Sequence, residues 1–287
     1  MDYGREVKFG VFVIPATMQP TRALDVASIA DELGFDLVGV QDHPYQWRFY
    51  DTWTLLVAIA MRTERITVFP DVASLPMRPP AVLAKAAASL DVLSGGRAEL
   101  GLGAGGFWDA IKAMGGAART PGESVSALEE AIQVIRLMWS GERNVRFSGD
   151  FYSLSGVNAG PKPAHEMGIW LGAYKPRMLS ITGRLADGWV PSLGYLQPPD
   201  LIVANERIDV AARGAGRDPK SIRRVLNVGI PMDDQAAGIL TSLVVDCGMD
   251  SLVISEDGDE PREHLGRFMR EVAPRVREKV AEARGSG

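Results

Sequence analysis

Cysteine and histidine are scarce in this sequence, whose 287 residues hold one cysteine, Cys247, and three histidines. A lone cysteine closes no internal disulfide, and so few soft ligands make no cluster with metal-ligand spacing. No metal is expected, and Cys247 reads as a small core residue in a reducing compartment. Long apolar runs are also missing: none approaches the ~20 residues that span a bilayer. The opening MDYGREVKFGVF lacks the basic, then apolar, then small-residue order of a secretion signal. A cytoplasmic protein with no membrane partner is therefore expected. Charge of one sign is not concentrated anywhere, because 31 basic and 36 acidic residues are scattered to a net charge of -5. Without a basic stripe, nucleic acid is excluded as a partner and a small-molecule substrate is expected. No low-complexity tract or Pro/Ser linker interrupts the chain, so residues 1–287 read as one domain.

What is present is apolar residues, 46% of the total, arranged as short runs alternating with amphipathic stretches. Strands are expected at Lys8–Ile14, Phe35–Val40, Ile66–Val72, Ala98–Gly103, Gly168–Leu171, Gly188–Val190, Arg223–Val228 and Ser251–Ser255. Helices are expected at Thr21–Leu33, Thr52–Arg62, Pro80–Leu93, Ser124–Trp139, Pro176–Leu185, Pro199–Ala212, Gln235–Asp246 and Arg262–Ala283, with a short one near Asp109. The near-continuous hydrophobicity of the strands suits parallel strands covered on both faces. Eight β/α units fit a closed (β/α)8 TIM barrel better than a doubly wound sheet of five or six strands. Between Val145 and Leu154 the pattern VRFSGDFYSL reads as a small hairpin inserted before strand five.

Chemistry in such barrels sits in the loops after the strands. Strand two ends in FDLVGVQDHPYQW, which places Asp42, His43 and Trp47 at the barrel mouth. The other loops there read DVASLPMRPP, GAGGFWDA, GAYKPRM and PSLGY. Gly101, Gly103, Gly105 and Gly106 remove side chains where a flat ring could approach the backbone. Gly172 and Ala173 precede a helix N-terminus with Lys175 and Arg177 close by, a natural place for a phosphate. His165, in a proline-bounded loop, and His264, on a charged helix, carry no functional reading.

The motifs LPMRPPAVLAKAAASLDVLSGGRAELGLGAG at 75–105 and IWLGAYKPRMLSITGRLADGWVPS at 169–192 resemble the bacterial luciferase-like superfamily of flavin and deazaflavin oxidoreductases. Within it, QDHPYQW is similar to the Asp-His segment, with tryptophan four residues on, of members that use the deazaflavin coenzyme F-420. The resemblance implies that Asp42 and His43 lie beside the deazaflavin ring and that His43 and Trp47 face the reaction centre. It also implies a bulge with a non-prolyl cis peptide at Asp71 and Val72 behind the ring, with Gly103, Ala104 and Gly105 lining it. Gly172, Ala173, Lys175 and Arg177 would then help hold the phosphate end of the cofactor.

One position departs from the sugar-phosphate dehydrogenases of this branch. Where they carry a catalytic glutamate, this chain has Gly106, followed by Phe107, Trp108 and Asp109. A glycine moves no proton, so the pocket is expected to be more apolar, with Asp109 the nearby carboxylate. His43 becomes the leading acid or base, its tautomer set by a neighbouring carboxylate. The expected function is hydride transfer between coenzyme F-420 and a small organic substrate by a homodimer. The alternatives are a monooxygenase using reduced FMN and oxygen, and a non-catalytic flavin-binding protein.

Overall fold

Short runs of branched and aromatic residues form the inner wall of the molecule. The first two strands, β1 (Lys8–Val13) and β2 (Leu37–Val40), are buried along almost their whole length and pair in parallel. The structure, a computed structural model, describes residues 1–231, 233–256, 258 and 260–285. The expected third strand is two pieces: β3 (Thr67–Pro70) pairs with β2, whereas β4 (Ala73–Ser74) pairs with β5 (Leu100–Gly103). The wall continues in parallel through β8 (Ile169–Leu171), β9 (Gly188–Trp189), β10 (Arg223–Val228) and β11 (Ser251–Ser255), which returns to β1. A bridge between Val68 and Ala98 closes the ring, so the nine-stranded sheet is a (β/α)8 barrel with one divided strand. The hairpin lies apart as β6 (Val145–Ser148) and β7 (Ser153–Val157), three residues longer than expected. Its turn is anchored by the Glu130 carboxylate, which accepts from the amides of Asp150, Phe151 and Tyr152.

The outer layer comprises α1 (Arg22–Leu33), α2 (Thr52–Arg62), α3 (Pro80–Ser94), the short α4 (Trp108–Ala113), α5 (Pro121–Trp139), α6 (Pro176–Leu185), α7 (Pro198–Gly214) and α8 (Ala236–Val245). It ends with α9 (Pro261–Arg267), which runs through a π-helical turn, Phe268–Val272, into α10 (Ala273–Gly285). Helix α5 begins three residues before the expected Ser124. Thr120 caps it and Glu123 reaches back in a capping box, a signal legible in Thr-Pro-Gly-Glu. The final helix is not the single span expected, and Phe268 in its π-helical turn packs on Phe9 and Phe35. Inside the barrel, Leu37, Phe69, Trp170, Val190, Val225 and Val253 form a plug. This plug confines polar chemistry to the mouth, above Phe12 and Val72.

At the entry to β5, the buried Asp91 carboxylate accepts from the amides of Ala98, Ala164 and His165 and bonds His165 Nδ1 at 2.8 Å. The bond of the His165 ring with Glu99, helped by the Asp91 charge, raises the His165 pKa. A raised histidine pKa stabilises the fold fully below the unfolded value and loses that contribution as pH rises through the folded one. His165→Ala is therefore expected to flatten the fall in stability above about pH 6.5 by about 1 kcal/mol at most, since the ring is partly exposed. Urea unfolding of both proteins at two pH values measures it, and an unchanged pH dependence would refute the role.

Candidate active site

The mouth is shaped first by the break between β3 and β4, where the Asp71–Val72 peptide is cis. Val72 turns its side chain between β5 and β8: a Cβ added at Gly103 or Gly172 would lie 2.9 Å from Val72 Cγ2. Gly101 is likewise occupied from one side by the Pro70 carbonyl. These glycines therefore make room for the bulge rather than for a ring, which corrects the simplest reading of the glycine-rich turn. Gly105, at φ +103°, holds a conformation that side chains rarely adopt, and Gly106 faces open space. The result is a cavity of about 510 Å³ at the C-terminal ends of the strands.

Polar groups reach this cavity from three strand ends. After β2, Asp42 is buried and accepts from the Ser74 amide at 3.0 Å through Oδ2, while Oδ1 has no partner; burial raises its pKa. His43 is half-buried, its ring edge-on to Phe107 at 5.2 Å, and burial lowers its pKa against the opposing charge of Asp42. Its Nδ1 lies 2.7 Å from the Tyr45 hydroxyl. The expected carboxylate beside His43 is thus replaced by a phenol, because the Asp42 side chain is drawn to the backbone of β4. After β3, Asp71 Oδ1 accepts from Asn227 Nδ2 at 3.1 Å, and Asp71 Oδ2 and Asn227 Oδ1 have no partner. Burial pushes the Asp71 pKa up to about 7.

The cavity is lined by Asp42, His43, Asp71, Val72, Gly103, Ala104, Gly105, Gly172 and Lys175, as the sequence suggested. Ala173 is buried behind the wall, its carbonyl accepting from Trp189 Nε1 at 2.8 Å. The Gly172 amide is already bonded to Leu102, so it offers no anion a donor. Arg177 donates instead to the Gly122 carbonyl and Ser126 Oγ, tying α6 to α5 outside the cavity. Asp109 is exposed on the first turn of α4, away from the lining. The convergence of Trp47 with His43 is not found either. The chain turns between His43 and Gln46, and Trp47 stands 80% exposed with the Arg48 guanidinium 4.5 Å over its ring.

A Trp47→Ala protein is accordingly expected to keep its stability to within about 0.5 kcal/mol, as for an exposed side chain with no buried partner, and to keep its turnover. Thermal melts and steady-state kinetics check both. A loss of turnover near that of a His43 variant would show that the 43–50 loop folds over bound substrate.

Sequence reasoning passed over Tyr45, Tyr174, Ser192, Tyr195 and Asn227, all of which line the cavity. Asn227 carried a signal, being the one polar residue in the VLNV half of its strand, which is apolar apart from the two arginines that open it. No group of three His, Cys, Asp or Glu among the described residues is placed to hold a metal. A flat ring bearing N–H and O–H donors fits the site chemically, since its orphaned buried oxygens, Asp42 Oδ1 and Asn227 Oδ1, are acceptors.

Comparison with known proteins gives a match to the family model described as luciferase-like monooxygenase over residues 5–284. The 5,10-methylenetetrahydromethanopterin reductase of Methanolobus tindarius is 31% identical, over 88% of this chain and 76% of that protein. The F420-dependent glucose-6-phosphate dehydrogenase of Kineococcus radiotolerans is 29% identical, over 83% of this chain and 72% of that protein. Among solved structures, an F420-dependent secondary alcohol dehydrogenase in complex with an F420-acetone adduct superposes with a TM-score of 0.80 at 20% identity, covering 95% of this chain and 99% of its own. The oxygenating constituent of 3,6-diketocamphane monooxygenase of Pseudomonas putida, in complex with FMN, gives 0.73 at 16% identity, covering 95% and 99%. At such identities these two structures establish the fold alone.

Proposed function

The chain belongs to the luciferase-like monooxygenase family, and we propose that it is an oxidoreductase passing a hydride between coenzyme F-420 and a small, largely apolar organic substrate. The observation that carries this reading is the Asp42–His43 pair, which lines one cavity together with the Val72 bulge and the 103–106 turn. The named F-420 relatives match this chain over most of its length. When bound, the deazaflavin supplies a carbon centre that gives or takes a hydride.

The chain's own residues do the rest. Val72 forms a firm apolar wall, and the 103–106 backbone lies open to a planar group. Lys175, at the N-cap of α6, is the cation available to a phosphate now that Arg177 is committed elsewhere. Phe107, Trp108 and Tyr195 line the cavity with aromatic surface, favouring an apolar substrate over a sugar phosphate. His43 holds the proton that must accompany a hydride.

Reduced FMN with oxygen is the second reading, supported by the shared barrel of the FMN-bound monooxygenase. A fluorescence titration of the purified protein with both cofactors decides between them. Saturable binding of coenzyme F-420 is expected, whereas tight FMN binding without F-420 binding would overturn the proposal. Binding of a cofactor with no turnover on any ketone, imine or alkene panel would favour a non-catalytic flavin-binding protein.

A further inference from the structure

The Tyr45 hydroxyl, 2.7 Å from His43 Nδ1, is the sole hydrogen-bond partner of that ring among the described residues. The same two rings pack on Phe107, at 5.9 and 5.2 Å between centroids. His43 lines the cavity, and its Nε2 has no protein partner yet is not among the buried unpaired atoms, so it is the nitrogen presented to a ligand. A neutral imidazole has one N–H donor and one bare acceptor nitrogen, and which is which follows from the bond its other nitrogen makes. Burial lowers the His43 pKa, which favours the neutral ring, and pushes the Tyr45 phenol up to about 12, so the phenol retains its proton. A phenol O–H is a far stronger donor than a neutral imidazole N–H, which makes O–H···Nδ1 the favoured arrangement.

We infer that Tyr45 is a positioning residue that fixes His43 as its Nε2–H tautomer, so that the ring offers the cavity a proton donor and the site is set to reduce a carbonyl-type substrate. This rests on the proposed oxidoreductase reading. As negative charge develops on the substrate oxygen, the Nε2 proton passes to it and the N–H bonding pair stays on nitrogen. Nδ1 takes the Tyr45 proton in the same movement, so the imidazole never becomes charged. The phenolate left behind is less basic than the alkoxide it has neutralised; it takes its proton back from Nδ1 while water at the cavity mouth protonates Nε2, which restores the starting tautomer and leaves hydroxide to the solvent. The glycine at 106 is consistent with this direction, because no second side chain is needed to remove a proton. An oxidative enzyme would need the opposite tautomer, with a bare Nε2 facing the substrate hydroxyl.

Nitrogen-15 NMR of the imidazoles in the cofactor-free protein near pH 8 tests the assignment, with the His43 signals identified by their loss in His43→Ala. Expected is an unprotonated, hydrogen-bonded Nδ1 and a protonated Nε2 for His43, giving way to a tautomer mixture in Tyr45→Phe. That variant should also lose about tenfold in turnover in the reductive direction, the weight of one hydrogen bond. A protonated Nδ1 in the wild-type spectrum would overturn the inference, as would a Tyr45→Phe spectrum identical to wild type. The wild-type spectrum decides even if the variant fails to fold. Because NMR needs no cofactor, this result is separate from the cofactor titration, so either proposal can fail alone.

Discussion

A His43→Ala protein is expected to fold, to bind coenzyme F-420 nearly as well as wild type, and to turn over a confirmed substrate about 100-fold more slowly or worse, the usual weight of a general acid or base. The fold should survive because His43 is only half-buried and its single side-chain hydrogen bond, to Tyr45, lies within its own loop. Cofactor affinity should survive because Val72, the 103–106 backbone and Lys175 contribute most of the lining assigned to it. The loss should fall on kcat and on kcat/KM alike, as it does when an interaction made only in the transition state is removed. Steady-state kinetics with a thermal melt as the folding control measures it. Wild-type turnover across the pH range would reduce His43 to a structural residue, and Asp109, which lies outside the cavity, is not placed to take over its role.

The second large effect concerns stability and is expected from Asp71→Asn. Asp71 is enclosed beneath the cavity with one amide partner, Asn227, and no ion pair among the described residues; burial raises its pKa from 3.8 to about 7. For a carboxyl whose folded pKa lies above its unfolded value, stability is fully present below the unfolded pKa and falls as pH rises through the folded one. Between about pH 4 and pH 7 the wild type should therefore lose up to about 4 kcal/mol relative to Asp71→Asn, at about 1.36 kcal/mol for each pH unit between the two values. Tyr174 feels the Asp71 charge, which helps to raise its pKa, and it stays neutral across this range in both proteins. Urea unfolding of the two cofactor-free proteins across that range isolates Asp71, whatever the constant cost or gain of the amide. Parallel stability curves would show that the carboxyl is solvated and ordinary. A neutral Asp71 near pH 6 also removes one negative charge from the cavity lining beneath an anionic cofactor, which makes its binding easier at lower pH.

Much of this was legible along the chain. Continuous apolar runs such as Leu37–Val40 recur with amphipathic helices between them, and a run buried on both faces must be walled in by something on either side, which is why the barrel could be counted before it was seen. The abrupt end of the second run put Asp42 and His43 at the mouth for the same reason. The capping box of Thr120 and Glu123 and the lone Asn227 in the apolar half of its strand were equally available as local signals. What local pattern could not carry was the outcome of competition between distant groups. Asp71 meets Asn227 across 156 positions only because the barrel closes. The Asp42 carboxylate was free to reach His43 until the strand after the bulge brought the Ser74 amide within 3.0 Å, and the phenol two residues beyond His43 took its place. Arg177 had a phosphate-binding address in the sequence, but α5 offered a carbonyl and a hydroxyl nearer to hand. Trp47 kept its spacing from His43 while a single turn rotated it to solvent. Burial periodicity is written residue by residue and so determined the architecture; hydrogen-bond partners are chosen in three dimensions, where a displacement of one side chain's length changes which donor wins, and only the tertiary structure decided those.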